Sequence, residues 1–236
     1  MKLKSLTIPL TALAIALNLA SSASAASTTY YLKYWGSAAP WYTSDNSWGV
    51  ISPNSSSCFV AMVVGTDWGT QSPWLPIPKK ISALGTAHSW FSQGSSPGSG
   101  SYYDATYDIF IDPSNLTGNY SRQSVNEIMI WLKWNSQPLS DSWNPQGQAV
   151  PKWTNQTVDG NVFDVYYYTW PGGGRHTMSF LLKNQQGWYS GNLTNFFTYA
   201  IGKGQFTSSQ YLNSVMAGWE FGYGSFTAYS WGNSNF

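Results

Sequence analysis

Charge is scarce in this chain of 236 residues: Asp, Glu, Lys and Arg together make up 9% of it, with a formal net charge of +1. So few cations give no electrostatic hold on nucleic acid or on an anionic membrane surface, and neither is an expected partner. Cysteine occurs once, as Cys58, which excludes an internal disulfide and leaves a small buried hydrophobe as the expected role. His88 and His176 are the two histidines, and no HxxH or CxxC spacing accompanies them, so no metal site is expected. Rarest of the acids is glutamate, present only as Glu127 and Glu220.

What is present begins with a leader. Met1-Lys2-Leu3-Lys4 is a short basic start, an apolar run follows to about Leu19, and Ala23-Ser24-Ala25 supplies small residues for cleavage. Pro9 and Asn18 interrupt the run, which reads as a secretory signal peptide over 1–25 and not as a membrane span. Residues 26–236 then form one domain, expected to be secreted and monomeric. Without Lys2 and Lys4, nine basic residues face ten acidic ones.

Aromatics make up 17% of the chain, with 14 Trp and 16 Tyr, more than a core of this size is expected to absorb. Indole and phenol faces stack on the C–H faces of sugars, and amides and hydroxyls bond sugar hydroxyls without needing charge. A neutral polysaccharide fits this composition best. Strand-like segments at 28–35, 58–64, 105–111, 126–134, 161–169, 177–182, 215–223 and 225–231 alternate with Gly, Pro, Asn and Ser clusters. Among those clusters, 94–100 reads as a hairpin or cleft-rim loop. One helix is expected over 193–200, with Asn192 as N-cap. The pattern predicts an all-β fold, a β-jelly-roll sandwich of two antiparallel sheets with one short helix.

The run Val125–Trp134, VNEIMIWLKW, organises the rest. On a strand, Ile128, Ile130, Leu132 and Trp134 share one face, the core face, while Glu127, Met129, Trp131 and Lys133 share the other. In the segment 215–223, Gly218, Glu220 and Gly222 share a face opposite Trp219, Phe221 and Tyr223. Two glutamates on two aromatic-rich strands suit glycosidic hydrolysis, in which one carboxylic acid protonates the leaving oxygen and a carboxylate acts from the other side of the sugar carbon. Apolar neighbours raise one partner's pKa, which favours Glu220 as the acid, and its flanking glycines leave room for substrate. Spacing alone leaves open that both are solvated carboxylates on edge strands.

Several stretches, in order along the chain, resemble glycoside hydrolase family 12. Asn126-Glu127-Ile128-Met129-Ile130-Trp131 is similar to its nucleophile strand, and Tyr107-Asp108-Ile109-Phe110 to its Y-D-I-F strand. Asp45-Asn46-Ser47-Trp48-Gly49 resembles its N-N-x-W-G turn, with Trp35 at the place of its first cleft tryptophan. Ser190-Gly191-Asn192-Leu193-Thr194-Asn195-Phe196-Phe197 resembles its helix. Ala217-Gly218-Trp219-Glu220-Phe221-Gly222-Tyr223-Gly224-Ser225 is similar to its acid/base strand, with altered spacing after the glutamate.

The resemblance implies a β-jelly roll with a long open substrate cleft, and a retaining endo-β-1,4-glucanase acting on cellulose-type β-glucans without a cofactor. Glu127 takes the nucleophile's place, Glu220 that of the general acid/base, and Asp108 that of the aspartate that orients the nucleophile. Trp48 and Asn46 stand where sugars are held on the non-reducing side, and Trp35 is a stacking platform farther out. Met129 and Trp131 line the floor, and Pro145, in a Pro-containing loop, borders the leaving-group side. One departure lies at 65–70, similar to a stretch that in bacterial relatives reads G-C-H-x-G-x-C and carries a disulfide. Here both cysteines are absent and Asp67 holds the histidine's place, either replacing a polar contact or simply solvated. The rival readings are a carbohydrate-binding module or lectin, an outer-membrane β-barrel, and a hydrolase of the same fold acting on xyloglucan, mixed-linkage glucan or xylan.

Overall fold

The computed structural model describes residues 27, 29–52, 57–67, 70–115, 126–172 and 174–236. The leader expected over 1–25 lies outside the described residues. The strands are β1 (Tyr31–Trp35), β2 (Ala39–Ser44), β3 (Ser47–Ser52), β4 (Cys58–Asp67), β5 (Thr70–Gln71), β6 (Lys79–Lys80), β7 (His88–Pro97) and β8 (Tyr103–Asp112). They continue as β9 (Asn126–Trp134), β10 (Trp153–Val158), β11 (Asn161–Thr169), β12 (His176–Leu182), β13 (Trp188–Asn192), β14 (Tyr211–Phe221) and β15 (Gly224–Ser234). Between β13 and β14 runs α1 (Leu193–Gly202), whose N-cap Asn192 accepts a hydrogen bond from the Thr194 amide at 2.9 Å, as the sequence predicts.

Two sheets face one another, a jelly-roll sandwich. The larger has the order β1-β4-β14-β8-β9-β12-β11-β10, with β5 beside β4 and β6 beside β14; the smaller runs β13-β7-β15-β3-β2. One pairing departs from the antiparallel expectation: β12 lies parallel to β9. The chain leaves β9 by a long connection and returns through the β10–β11–β12 meander, so β12 re-enters in the direction of β9. The glycine-rich stretch 94–100 is also less loop-like than its composition suggests, since Gly94 to Pro97 complete β7 and pair with β15. A Cβ at Gly94 would meet the Tyr229 hydroxyl, so close side-chain approach accounts for that glycine.

The facing sides of the two sheets form the core. Val60, Met62, Tyr107, Ile109, Ile128, Ile130, Leu132, Val215, Ala217 and Trp219 from the large sheet meet Trp48, Phe91, Phe226 and Trp231 from the small one. Trp48 and Trp219 pack edge-on with centroids 5.0 Å apart, and Phe91 contacts both. The core therefore takes up more indole and phenol than composition suggests: Trp48, Trp219, Trp231 and Tyr107 are all essentially sealed from solvent. Cys58 is buried, as expected.

On the outer face of the large sheet a second apolar layer forms. Met129, Trp131 and Leu181 are buried there, and Trp134 and Tyr166 pack against them. Strict alternation puts Trp134 on the core face, and the structure puts it on this one. The reason is a bulge: Ala105 pairs with Lys133 but Thr106 pairs with Trp131, so β9 carries one extra residue and Trp134 returns to the side of Trp131. The ring centroids of Trp131 and Trp134 are 6.4 Å apart.

Candidate active site

Alternation along the central strands of the large sheet aims one set of side chains at its outer, concave face. From β9 these are Glu127, Met129 and Trp131; from β8 Asp104 and Asp108; from β14 Met216 and Glu220; from β4 Phe59; from β1 Lys33 and Trp35. β8 separates the two glutamate strands, and along it Glu220 pairs with Asp104 while Glu127 pairs with Phe110. A flat sheet would hold positions so offset roughly 20 Å apart along the strands. Both glutamates nevertheless line the same two half-open cavities, of about 400 Å³ and about 250 Å³. The sheet is therefore curled, and its central strand pairs carry register shifts at Ala105/Thr106 and Leu212/Ser214, a feature that increases local twist.

The electrostatics follow from this crowding. Glu220 has its pKa pushed up to about 7, first by burial and then by the negative charge of Glu127. Asp108 lies in register with Met129 and Met216 and is held well above the ordinary carboxylate range, mainly by burial and then by Glu127, Glu220 and Asp104. Asp104, directly across the ladder from Glu220, is raised well above that range by burial and by Glu220, while a hydrogen bond from Ser136 acts the other way. Its Oδ2 accepts from Ser136 Oγ at 3.3 Å. Four carboxyls crowded across these two adjoining cavities oppose one another's ionisation, so at neutral pH part of the group stays protonated and able to donate.

Glu127 is held from several sides. Thr177 Oγ1, on the neighbouring parallel strand and in register with it, donates to Glu127 Oε2 at 2.8 Å. The Arg175 guanidinium lies 3.7 Å from the same oxygen. Gln205 Nε2 donates to the Glu127 backbone carbonyl at 3.1 Å, fixing the strand beneath the side chain. Trp170, Thr177, Arg175, Gln205 and Asp104 were not singled out in the sequence. Strand pairing brings in Thr177 and Asp104, while Trp170 and Arg175 come from the connection between β11 and β12 and Gln205 from the segment between α1 and β14.

The remaining sequence candidates divide. Trp35 is half-exposed, stacks on Phe59 with centroids 6.1 Å apart, and borders the smaller cavity. Met129 and Trp131 line the larger cavity beside Glu127. Trp48 is a correction: it is fully buried between the sheets and cannot stack on a sugar. The strict alternation of β3 sends Trp48 and Val50 inward, and the motif's shape gave no sign of which face it served. Asn46 is exposed in the two-residue β2–β3 turn of the smaller sheet and does not line either cavity. Pro145 is likewise exposed and outside both, although its loop does reach the site through Ser136, Gln137 and Leu139. The flanking glycines answer to the sheet more than to substrate: a Cβ on Gly218 would run into Val60 and Ala61 of β4. Asp67 is not solvated but buried against Lys33 as an ion pair. Among the described residues no cluster of His, Cys, Asp and Glu is arranged to hold a metal ion.

Known proteins resemble this chain in sequence and in fold. A probable xyloglucan-specific endo-β-1,4-glucanase A of Neosartorya fischeri is 30% identical over 232 residues, covering 88% of this chain and 90% of its own. An inactive glycoside hydrolase of Phytophthora nicotianae is 32% identical over half of this chain and 44% of its own. Among solved structures, the xyloglucanase domain of NopAA from Sinorhizobium fredii, in complex with cellobiose, superposes with a TM-score of 0.69 at 22% identity over 88% of this chain and 91% of its own. A native family 12 xyloglucanase from Bacillus licheniformis gives a TM-score of 0.68 at 21% identity over 88% and 93%. The family model for glycosyl hydrolase family 12 matches residues 39–235, nearly all of the described chain, and with its two glutamates converging in one cavity the chain belongs to that family.

Proposed function

We propose that this chain is a retaining endo-β-1,4-glucanase in which Glu127 is the nucleophile and Glu220 the general acid/base. The observation that carries the reading is the convergence of two glutamates from separate strands on one half-open cavity, with Glu220 pushed to about 7 and so half protonated at neutral pH. Glu127 attacks the anomeric carbon as Glu220 gives its proton to the departing glycosidic oxygen, leaving a covalent glycosyl-enzyme. Attack consumes the charge of Glu127, removing one of the two influences that raise the Glu220 pKa. The deprotonated Glu220 then takes a proton from water, which releases the sugar, and the restored Glu127 charge returns Glu220 to its acid form.

The cavity is open at its sides and floored by Met129 and Trp131, with Trp35 farther along, which suits an internal segment of an uncharged polymer. Cellulose-type glucan is the primary substrate class in this reading. Xyloglucan is the second, favoured by the likeness to the probable xyloglucan-specific endo-β-1,4-glucanase A of Neosartorya fischeri. Export with cleavage near Ala25, action as a monomer and a single catalytic domain over 26–236 belong to the same proposal.

The test is reducing-end release from soluble cellulose derivatives, mixed-linkage glucan, xyloglucan and xylan, with the anomer formed first followed by proton NMR. Internal cleavage with the β-anomer appearing first, and a loss of about a hundredfold or more in folded Glu127→Gln and Glu220→Gln, is the expected result. Binding of these polymers without cleavage would mean a carbohydrate-binding protein on a hydrolase fold.

A further inference from the structure

Beside the nucleophile lies a set of side chains whose hydrogen bonds have a single possible direction. Trp170 Nε1 is 2.9 Å from Thr177 Oγ1, and Thr177 Oγ1 is 2.8 Å from Glu127 Oε2. An indole nitrogen only donates, so the Thr177 oxygen accepts from Trp170 and its own hydrogen points at the carboxylate. Thr177 is buried and in register with Glu127 on the adjacent parallel strand, so its hydroxyl sits level with the carboxylate and on the same face of the sheet. Arg175 completes the group. The backbone turns back after Trp170 through Gly172 and Gly174, at φ 94° and 81°, where residues with a Cβ are strained, and the Trp170 amide donates to the Arg175 carbonyl at 3.1 Å. That turn lays the guanidinium over the Trp170 ring, 4.1 Å from its centroid, with Nη2 3.7 Å from Glu127 Oε2.

We propose that Trp170, Thr177 and Arg175 act together as positioning residues for the nucleophile: the indole fixes the Thr177 hydroxyl as a donor, and hydroxyl and guanidinium both hold Glu127 Oε2 in place. The proposal rests on the reading of Glu127 as nucleophile. Donors aimed at a carboxylate favour its charged form and restrict its rotation, so Glu127 is aligned before substrate arrives. In the second half of the reaction Glu127 is the leaving group, and the same donors receive the returning charge. The set offsets an unfavourable neighbourhood. Glu127 shares its cavities with the acids Asp108 and Asp104 of β8 and Glu220 of β14, and with Lys33 of β1, which is already engaged by Asp67.

Thr177→Val keeps the shape and removes the hydroxyl, while Thr177→Ser keeps the hydroxyl. The expected result for Thr177→Val is a loss of about tenfold to a hundredfold in kcat/KM on a soluble β-glucan. A similar slowing is expected in covalent inactivation by a 2-deoxy-2-fluoro-cellobiosyl donor with a good leaving group, and the acidic limb of the pH profile moves to higher pH. Thr177→Ser stays within a few-fold of wild type. Trp170→Phe, which keeps a ring under Arg175 but deletes the N–H, shifts inactivation and the acidic limb in the same direction by less, and Arg175→Gln does likewise. A folded Thr177→Val with wild-type kcat/KM and an unmoved acidic limb overturns the proposal, as does a Thr177→Ser enzyme no better than Thr177→Val. If Thr177→Val does not fold, the Trp170→Phe pH profile decides by the same criterion. Glu127→Gln runs alongside: if it stays active, the nucleophile reading itself has failed, whereas an inactive Glu127→Gln with an unaffected Thr177→Val removes only the positioning set.

Discussion

Because Glu127 and Glu220 are the chain's two glutamates, labelling with glutamate carrying carbon-13 at the side-chain carboxyl yields two signals, one from each proposed catalytic group. The Glu220 signal is expected to titrate with a midpoint near 7, and its assignment follows from Glu220→Gln, which deletes it. In Glu127→Gln the remaining signal should move to a lower midpoint, because the charge of Glu127 no longer opposes ionisation. It should stay above the ordinary value of about 4.3, because burial, the larger cause, is untouched. The kinetic counterpart is an alkaline limb. With a midpoint near 7 the acid is almost wholly protonated at pH 5 and about one-tenth protonated at pH 8, so kcat/KM falls roughly tenfold between them. Linkage gives a third readout. Since the folded pKa lies above the unfolded one, Glu220's contribution to stability is fully present below about pH 4.5 and is lost as pH rises through about 7, amounting to roughly 3 kcal/mol. Glu220→Gln should therefore melt higher than wild type at pH 8 and lose that advantage at pH 4. A wild-type Glu220 midpoint in the ordinary carboxylate range, or one that rises in Glu127→Gln, would refute the account of the pair.

Trp48 and Trp35 should separate cleanly: Trp48→Ala empties a sealed position between the sheets and costs about 3–5 kcal/mol in denaturant unfolding, whereas Trp35→Ala leaves stability nearly unchanged and raises KM on polymeric glucan. The reverse pattern would restore Trp48 to the cleft. Asp159 accepts from Tyr189 Oη at 2.6 Å, the Asn192 amide at 3.1 Å and Asn195 Nδ2 at 2.6 Å, tying the β10–β11 turn to β13 and the start of α1. Asp159→Ala should lower stability by about 2–4 kcal/mol with kcat per folded molecule unchanged, checked by thermal melts beside active-site titration.

The alternation of apolar and polar residues, with turn residues between the runs, was enough to read an all-β sandwich, the helix after Asn192 and the face on which Glu127, Met129 and Trp131 stand together, because period two is a property of the strand itself. Rarity of glutamate did the rest of the local work by drawing attention to Glu127 and Glu220. Tertiary structure decided what alternation does not encode. A one-residue bulge moved Trp134 out of the core face, and the inward face of β3 took Trp48 from the cleft. Strand order placed Asp104 across from Glu220 and Thr177 beside Glu127, pairings between segments far apart in the chain. The curl of the sheet then drew two glutamates offset along β8 into one cavity, where shared burial, and not either residue's local sequence, sets which carboxyl keeps its proton.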